Sequence, residues 1–135
     1  MYLVDSGVWI AASNPKDKHH REAVPILKSI LSGAHGKAII TDLIFSEVTT
    51  YIRKKIGKKQ SVEAARLIMD SEHVKIIFID ENIFNAAYHM FEKYPELSFA
   101  DATSVAVMKD RDIRQIISFD RGFDTVRDIN RLEKI

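Results

Sequence analysis

The chain has 135 residues, 46% hydrophobic and 29% charged, with 20 basic against 19 acidic side chains and a formal charge of +1. That length supports the core of one domain, and that balance excludes a disordered chain. A charge so near zero gives no general argument for a nucleic-acid partner, which would have to be recognised through local patches.

Cysteine is absent, which excludes disulfides and thiolate metal sites and fits a cytoplasmic protein. The opening MYLVDSGVWIAASNP carries an acid inside its apolar run and no basic start, so it does not read as a signal peptide. No apolar stretch approaches the roughly 20 residues of a spanning helix, and no membrane role is expected. Neither repeats nor linkers interrupt the pattern, so residues 1–135 are expected to form one domain.

In chain order, Tyr2, Leu3 and Val4 form a first apolar run. Ala23, Ile26, Leu27, Ile30 and Leu31 follow the helical period, with Gly33 as a stop. Pro25 would cost about 3 kcal/mol in a helix interior, so this helix is expected to begin or kink there. Ala38, Ile39 and Ile40 make a second run, followed by a stripe of Leu43, Ile44, Val48, Tyr51 and Ile52 with Asp42 as its cap. A helix over residues 61–70 precedes a third run at residues 75–79. Helices follow over residues 81–94 and 98–109, the second apolar on nearly every side and therefore central. Gln115, Ile116, Ile117 and Ser118 make the fourth run, and an edge strand is expected near Arg131 and Leu132. Unalternating β-branched runs separated by helices are the signature of buried parallel strands, which predicts an α/β fold with a parallel sheet of four to five strands. Pairs of helices fall between strands two and three and again between three and four, and simple up–down winding leaves their directions open.

In such a sheet, strand C-termini and helix N-termini share one edge, and ligands bind there. Asp5 ends the first strand and Asp120 follows the fourth. Glu47 lies in the second turn of the helix after strand two, and Asp101 in the first turn of the helix before strand four. All four acids are therefore expected at one edge. At 100° per residue, Glu47 falls between Leu43 and Tyr51 on the inward stripe, and Asp101 between Val105 and Met108. An inward carboxylate is costly unless paired or bound to a metal, and no nearby lysine or arginine offers a partner. Converging carboxylates raise one another's pKa values, and a hard divalent cation, Mg²⁺ or Mn²⁺, relieves this. Taken singly, Asp5 reads equally well as a helix cap and Asp120 as part of an Asp-Arg-Gly turn.

Four motifs in order carry a resemblance. LVDSGVWIA at residues 3–11, Phe45-Ser46-Glu47-Val48, Leu97-Ser98-Phe99-Ala100-Asp101-Ala102 and Ser118-Phe119-Asp120-Arg121-Gly122-Phe123 together resemble the PIN-domain family. Its small stand-alone VapC-type toxins are the branch that looks most similar, and the segment Asp17-Lys18-His19-His20-Arg21-Glu22-Ala23 resembles theirs. Gly7 stands where Asn is often found, and Pro25 is unusual for its helix. The resemblance implies a three-layer fold, Mg²⁺ or Mn²⁺, endoribonuclease activity leaving 5′-phosphate ends, homodimerisation, and an antitoxin whose segment occupies the acidic cleft. Asp5, Asp101 and Asp120 would hold one or two ions, with Glu47 as a further ligand or as a proton acceptor from water. Ser6 and Ser118 are candidate helpers, set against plain capping or turn bonding. Asp124 is either a further acid near the cleft or a cap.

The basic run Arg53, Lys54, Lys55, Lys58 and Lys59 would contact RNA phosphates, or simply suit a helix C-terminus. His19 and His20 read as surface or packing residues, Tyr51, Phe91 and Phe99 as core or dimer contacts, and Trp9 as an interface residue. A phospho-acceptor receiver domain using Asp80 would need a second acid beside Asp5, where Ser6 and Gly7 stand. An inactive PIN scaffold or a PIN nuclease of RNA maturation remain rivals within the same fold.

Overall fold

The computed structural model describes residues 1–135. Five strands, β1 (Tyr2–Val4), β2 (Ala38–Thr41), β3 (Val74–Ile77), β4 (Gln115–Ile117) and β5 (Asn130–Leu132), form one sheet in the order β3-β2-β1-β4-β5. Every pairing is parallel. Leu3, Val4, Ile39, Ile40 and Ile116 are fully buried, as residues between two helical layers must be.

The crossovers carry six helices: α1 (Ser6–Ser13), α2 (His20–Ser32), α3 (Asp42–Lys55), α4 (Lys58–Asp70), α5 (Glu81–Lys93) and α6 (Phe99–Asp110). They pack as consecutive pairs, α1 on α2, α3 on α4 and α5 on α6. Two helices thus fill each of the first three crossovers. Residues 102–108 of α6 are all buried, so the helix read as apolar on every side is a central one. A short 3₁₀ turn, α7 (Arg121–Thr125), links β4 to β5 and is pinned by the fully buried Phe123.

Local chemistry departs from the sequence reading in four places. Helix α2 does not begin at Pro25; it begins at His20 and continues past the proline to Ser32. Pro25 and Arg21, whose carbonyl the proline leaves without its helical partner, are both exposed, so this side of the helix is open to solvent. Gly33 ends the helix as expected, in the left-handed region at φ 73°. The cap of α3 is Thr41, whose hydroxyl accepts from the Ile44 amide at 3.1 Å. Asp42 instead accepts from the Ile79 amide at 3.0 Å and ties the end of β3 to the start of α3. Strand β3 stops at Ile77, and Phe78 turns 71% into solvent. Trp9, expected at an interface, is 3% exposed and packed in the core.

Candidate functional site: an acid-lined cavity at the switch point of the sheet

From β1 the chain winds one way to β2 and β3, then returns to place β4 on the other side of β1. The crevice beyond the C-termini of β1 and β4 is therefore the topological switch point, where open α/β sheets bind ligands. Register makes it specific. Leu3 pairs with Ile116 and Val4 with Ile117, so Asp5 and Ser118 emerge opposite each other.

The Ser118 hydroxyl donates to Asp5 Oδ2 at 2.7 Å and accepts from the Asp120 amide at 3.0 Å. Asp5 Oδ1 accepts from the Ser6 amide at 2.9 Å, which also caps α1. Asp120 Oδ1 accepts from the Gly122 amide at 2.8 Å and caps α7. A Cβ at Gly122 would stand 3.0 Å from the Glu96 carbonyl, so a larger residue would crowd this tight turn. Asp101 belongs to a capping box with Ser98, accepting from its amide at 3.0 Å while donating its own amide to the Ser98 hydroxyl at 3.1 Å.

Asp5, Glu47, Asp101 and Asp120 line one cavity of about 510 Å³, together with Ser6, Ser98, Asp17, Lys18, His19 and Phe119. None of the four acids is in an ion pair. Burial pushes the Asp5 carboxyl up to about 6; the Ser118 bond opposes this, and the charges of Asp101 and Glu47 add to it. Asp101 is also raised, by burial first and by the Asp120 charge in addition, against its bonds from Ser98.

A stability effect follows. Between its unfolded value of 3.8 and about 6, folded Asp5 keeps a proton that the unfolded chain has released. Stability therefore falls as pH rises through this window, by about 3 kcal/mol for roughly two units. Asp101 acts in the same sense. Thermal melts in chelator are expected to show Tm falling from pH 4.5 to pH 7.

The cavity gathers the four expected acids but places two of them differently. Glu47 is exposed; the inward face of α3 is Ile44, Val48 and Ile52, and Leu43 is itself 37% exposed. Glu47 thus stands at the rim rather than in the core. Asp101 is half-buried, whereas Val105 and Met108 further along α6 are fully buried, because Asp101 lies in the first turn, where α6 meets the cavity. Ser6 and Ser118 are both buried at the site, and Ser118 joins two of the acids.

Asp124 is neither a cleft acid nor a cap. Arg131, its side chain 9% exposed, donates to both Asp124 oxygens at 2.8 and 3.1 Å, to Glu133 at 2.8 Å and to the Ser118 carbonyl at 2.9 Å. These bonds hold Asp124 and Glu133 below the usual carboxylate range. They also fix the backbone of Ser118 from outside the cavity. The basic run lies away from the acids: Arg53, Lys54 and Lys55 close α3, Lys58 and Lys59 open α4, and none lines the acidic cavity.

Sequence reasoning gave Asp17, Lys18, Ser98 and Phe119 no role of their own and read His19 as a surface or packing residue. The segment containing Lys18 and His19 was legible only through resemblance. Phe119 fell between Ser118 and Asp120 with no periodicity to mark it.

Fold and cavity together define an open parallel α/β protein with an acidic cleft at its switch point. The PIN domain model matches residues 2–129, and the chain belongs to the PIN-domain family. Within it, the chain is 31% identical over 135 residues to Ribonuclease VapC13 of Mycobacterium tuberculosis, covering 98% of this chain and 99% of that protein. The crystal structure of Mycobacterium tuberculosis VapC20, described as a sarcin-ricin loop cleaving toxin, matches with a TM-score of 0.80 at 25% identity, over 92% of this chain and 93% of that one. A toxin–antitoxin complex from Klebsiella pneumoniae shares the fold, with a TM-score of 0.71 at 18% identity over 96% of each chain. No helix is long and apolar enough to cross a membrane.

Proposed function

We propose that this chain is a divalent-metal-dependent endoribonuclease, the toxin of a toxin–antitoxin pair, working through Asp5, Glu47, Asp101 and Asp120. One observation carries the reading: the four expected carboxylates, none of them in an ion pair, line one cavity at the switch point of the sheet, with Asp17 beside them. The similarity to Ribonuclease VapC13 supports the reaction class.

The donor set fits a hard cation, since it consists of carboxylate and hydroxyl oxygens. No three His, Asp or Glu side chains are yet gathered into a ready-made metal site. Asp101 and Asp120 are each engaged in a helix cap. The exposed Glu47, whose carboxylate is in no ion pair, has the freedom to close in. Asp5, Asp101 and Asp120 would hold Mg²⁺ or Mn²⁺, and Glu47 would serve as a further ligand or accept a proton from the attacking water. When bound, such an ion lowers the pKa of water and offsets charge on the departing oxygen. Ser118 keeps Asp5 oriented, and Lys18 brings a positive charge to the phosphate side of the cavity.

An unstructured RNA is expected to be cut with Mg²⁺ or Mn²⁺, leaving 5′-phosphate ends, and to survive intact in EDTA. Cutting that proceeds equally in EDTA would overturn the metal reading. An antitoxin segment would compete for the acidic cavity, as befits a relative described as a toxin. A homodimer would bury the aromatic face of α5, where Phe84, Tyr88 and Phe91 are each 45–53% exposed.

A further inference from the structure

The largest of the described cavities, about 730 Å³, adjoins the acidic one and shares two residues with it, His19 and Phe119. Their rings are stacked, with centroids 4.2 Å apart and planes 10° from parallel. The stacked pair thus forms part of the wall of both cavities. The cavities at Phe45 and Met69, at Leu31 and Leu67, and at Met108 and Ile129 share no lining residue with the acids.

We propose that the cavity beyond the His19–Phe119 stack seats an unstacked nucleobase of single-stranded RNA, that of a nucleotide next to the scissile phosphate. The proposal rests on the ribonuclease reading above. A phosphate held at the acids puts its neighbouring nucleoside one backbone step away, and the adjoining cavity shares one pair of rings with the acidic one. Phe119 directly precedes Asp120 in sequence, so a base against Phe119 is tied to a phosphate beside Asp120.

The lining chemistry suits a base. Pro25, Ile26 and Leu132 give apolar walls, and Phe119 is half-buried. The volume falls in the range of small-ligand pockets. Aromatic and histidine rings are the platforms on which proteins hold splayed RNA bases, since every base has a π-face. Lys18 in the acidic cavity and Lys134 in the adjoining one can take the flanking phosphates. Glu22, in no ion pair, lines the same cavity as an acceptor for base N–H groups. Arg131 also lines it but is occupied by Asp124, Glu133 and Ser118, so the wall it belongs to is rigid.

The test uses the full chain and an unstructured RNA oligonucleotide whose cleavage point has been mapped. A single abasic residue is then placed on either side of that point, and kcat and KM are measured for wild type, Phe119→Ala, Phe119→Trp and His19→Ala. For the wild type, the abasic residue on one side is expected to lower kcat/KM roughly ten- to hundredfold, the scale of one stacked base. That penalty should shrink below about threefold in Phe119→Ala and His19→Ala and persist in Phe119→Trp. His19→Ala carries the same expectation should Phe119→Ala fail to fold. An equal penalty in wild type and the alanine variants, or none on either side in the wild type, overturns the proposal while leaving the ribonuclease reading intact. The second of these results would leave the cavity to a protein segment. Absence of any RNA cleavage by the folded wild type sinks both.

Discussion

Replacing Asp5 with asparagine is expected to lower metal-dependent RNA cleavage by roughly a hundredfold or more, because the variant keeps the shape of the site and loses its most buried charge. Asparagine retains an oxygen for the Ser6 amide, so α1 stays capped. Its amide can donate to the Ser118 hydroxyl, which has lone pairs for both that bond and the Asp120 amide. The variant also removes a carboxyl that burial pushes up to about 6. Without metal at pH 7, its Tm should therefore equal or exceed that of the wild type. Cleavage assays paired with melts in chelator separate this from misfolding: lost activity in a protein of undiminished stability is the expected pattern. Unchanged cleavage would remove Asp5 from the mechanism.

Replacing Phe123 with alanine is expected to destabilise the chain by about 3–5 kcal/mol, the usual cost of emptying a buried phenylalanine site. A native domain has only about 5–15 kcal/mol in total, so much of the margin would go. Phe123 is fully buried and anchors the turn whose first residues present Asp120. The same substitution should therefore loosen Asp120 and weaken RNA cleavage even in the cold, where the variant is still folded. Urea denaturation measures the first effect, and cleavage at low temperature the second. A loss under about 1 kcal/mol would mean that Phe123 does not fill the core as placed.

The sheet was legible because buried parallel strands leave unalternating apolar runs, and β1, β2 and β4 fell where those runs lie. The meeting of the acids was legible from one rule, that strand ends and helix starts share an edge. What failed was facing. A stripe from Leu43 to Tyr51 put Glu47 inside, yet α3 buries only a narrow face along Ile44, Val48 and Ile52. The apolar residue at position 43 was read as core when its side chain lies at the surface. Pro25 misled because propensity assumes an interior, whereas its side of α2 is wet. The Asp124–Arg131–Glu133 cluster could not be seen because its members meet only once β5 pairs with β4. The His19–Phe119 stack was hidden for the same reason: the two residues are a hundred positions apart and carry no shared period.

Titrating Mn²⁺ into the purified chain, followed by calorimetry, tests the account where it is most exposed. Saturable binding should occur in the wild type at neutral pH, should raise its Tm, and should weaken sharply in Asp101→Asn. Heat and Tm that respond to Mn²⁺ identically in both proteins, or in neither, would contradict the claim that these carboxylates share a cation.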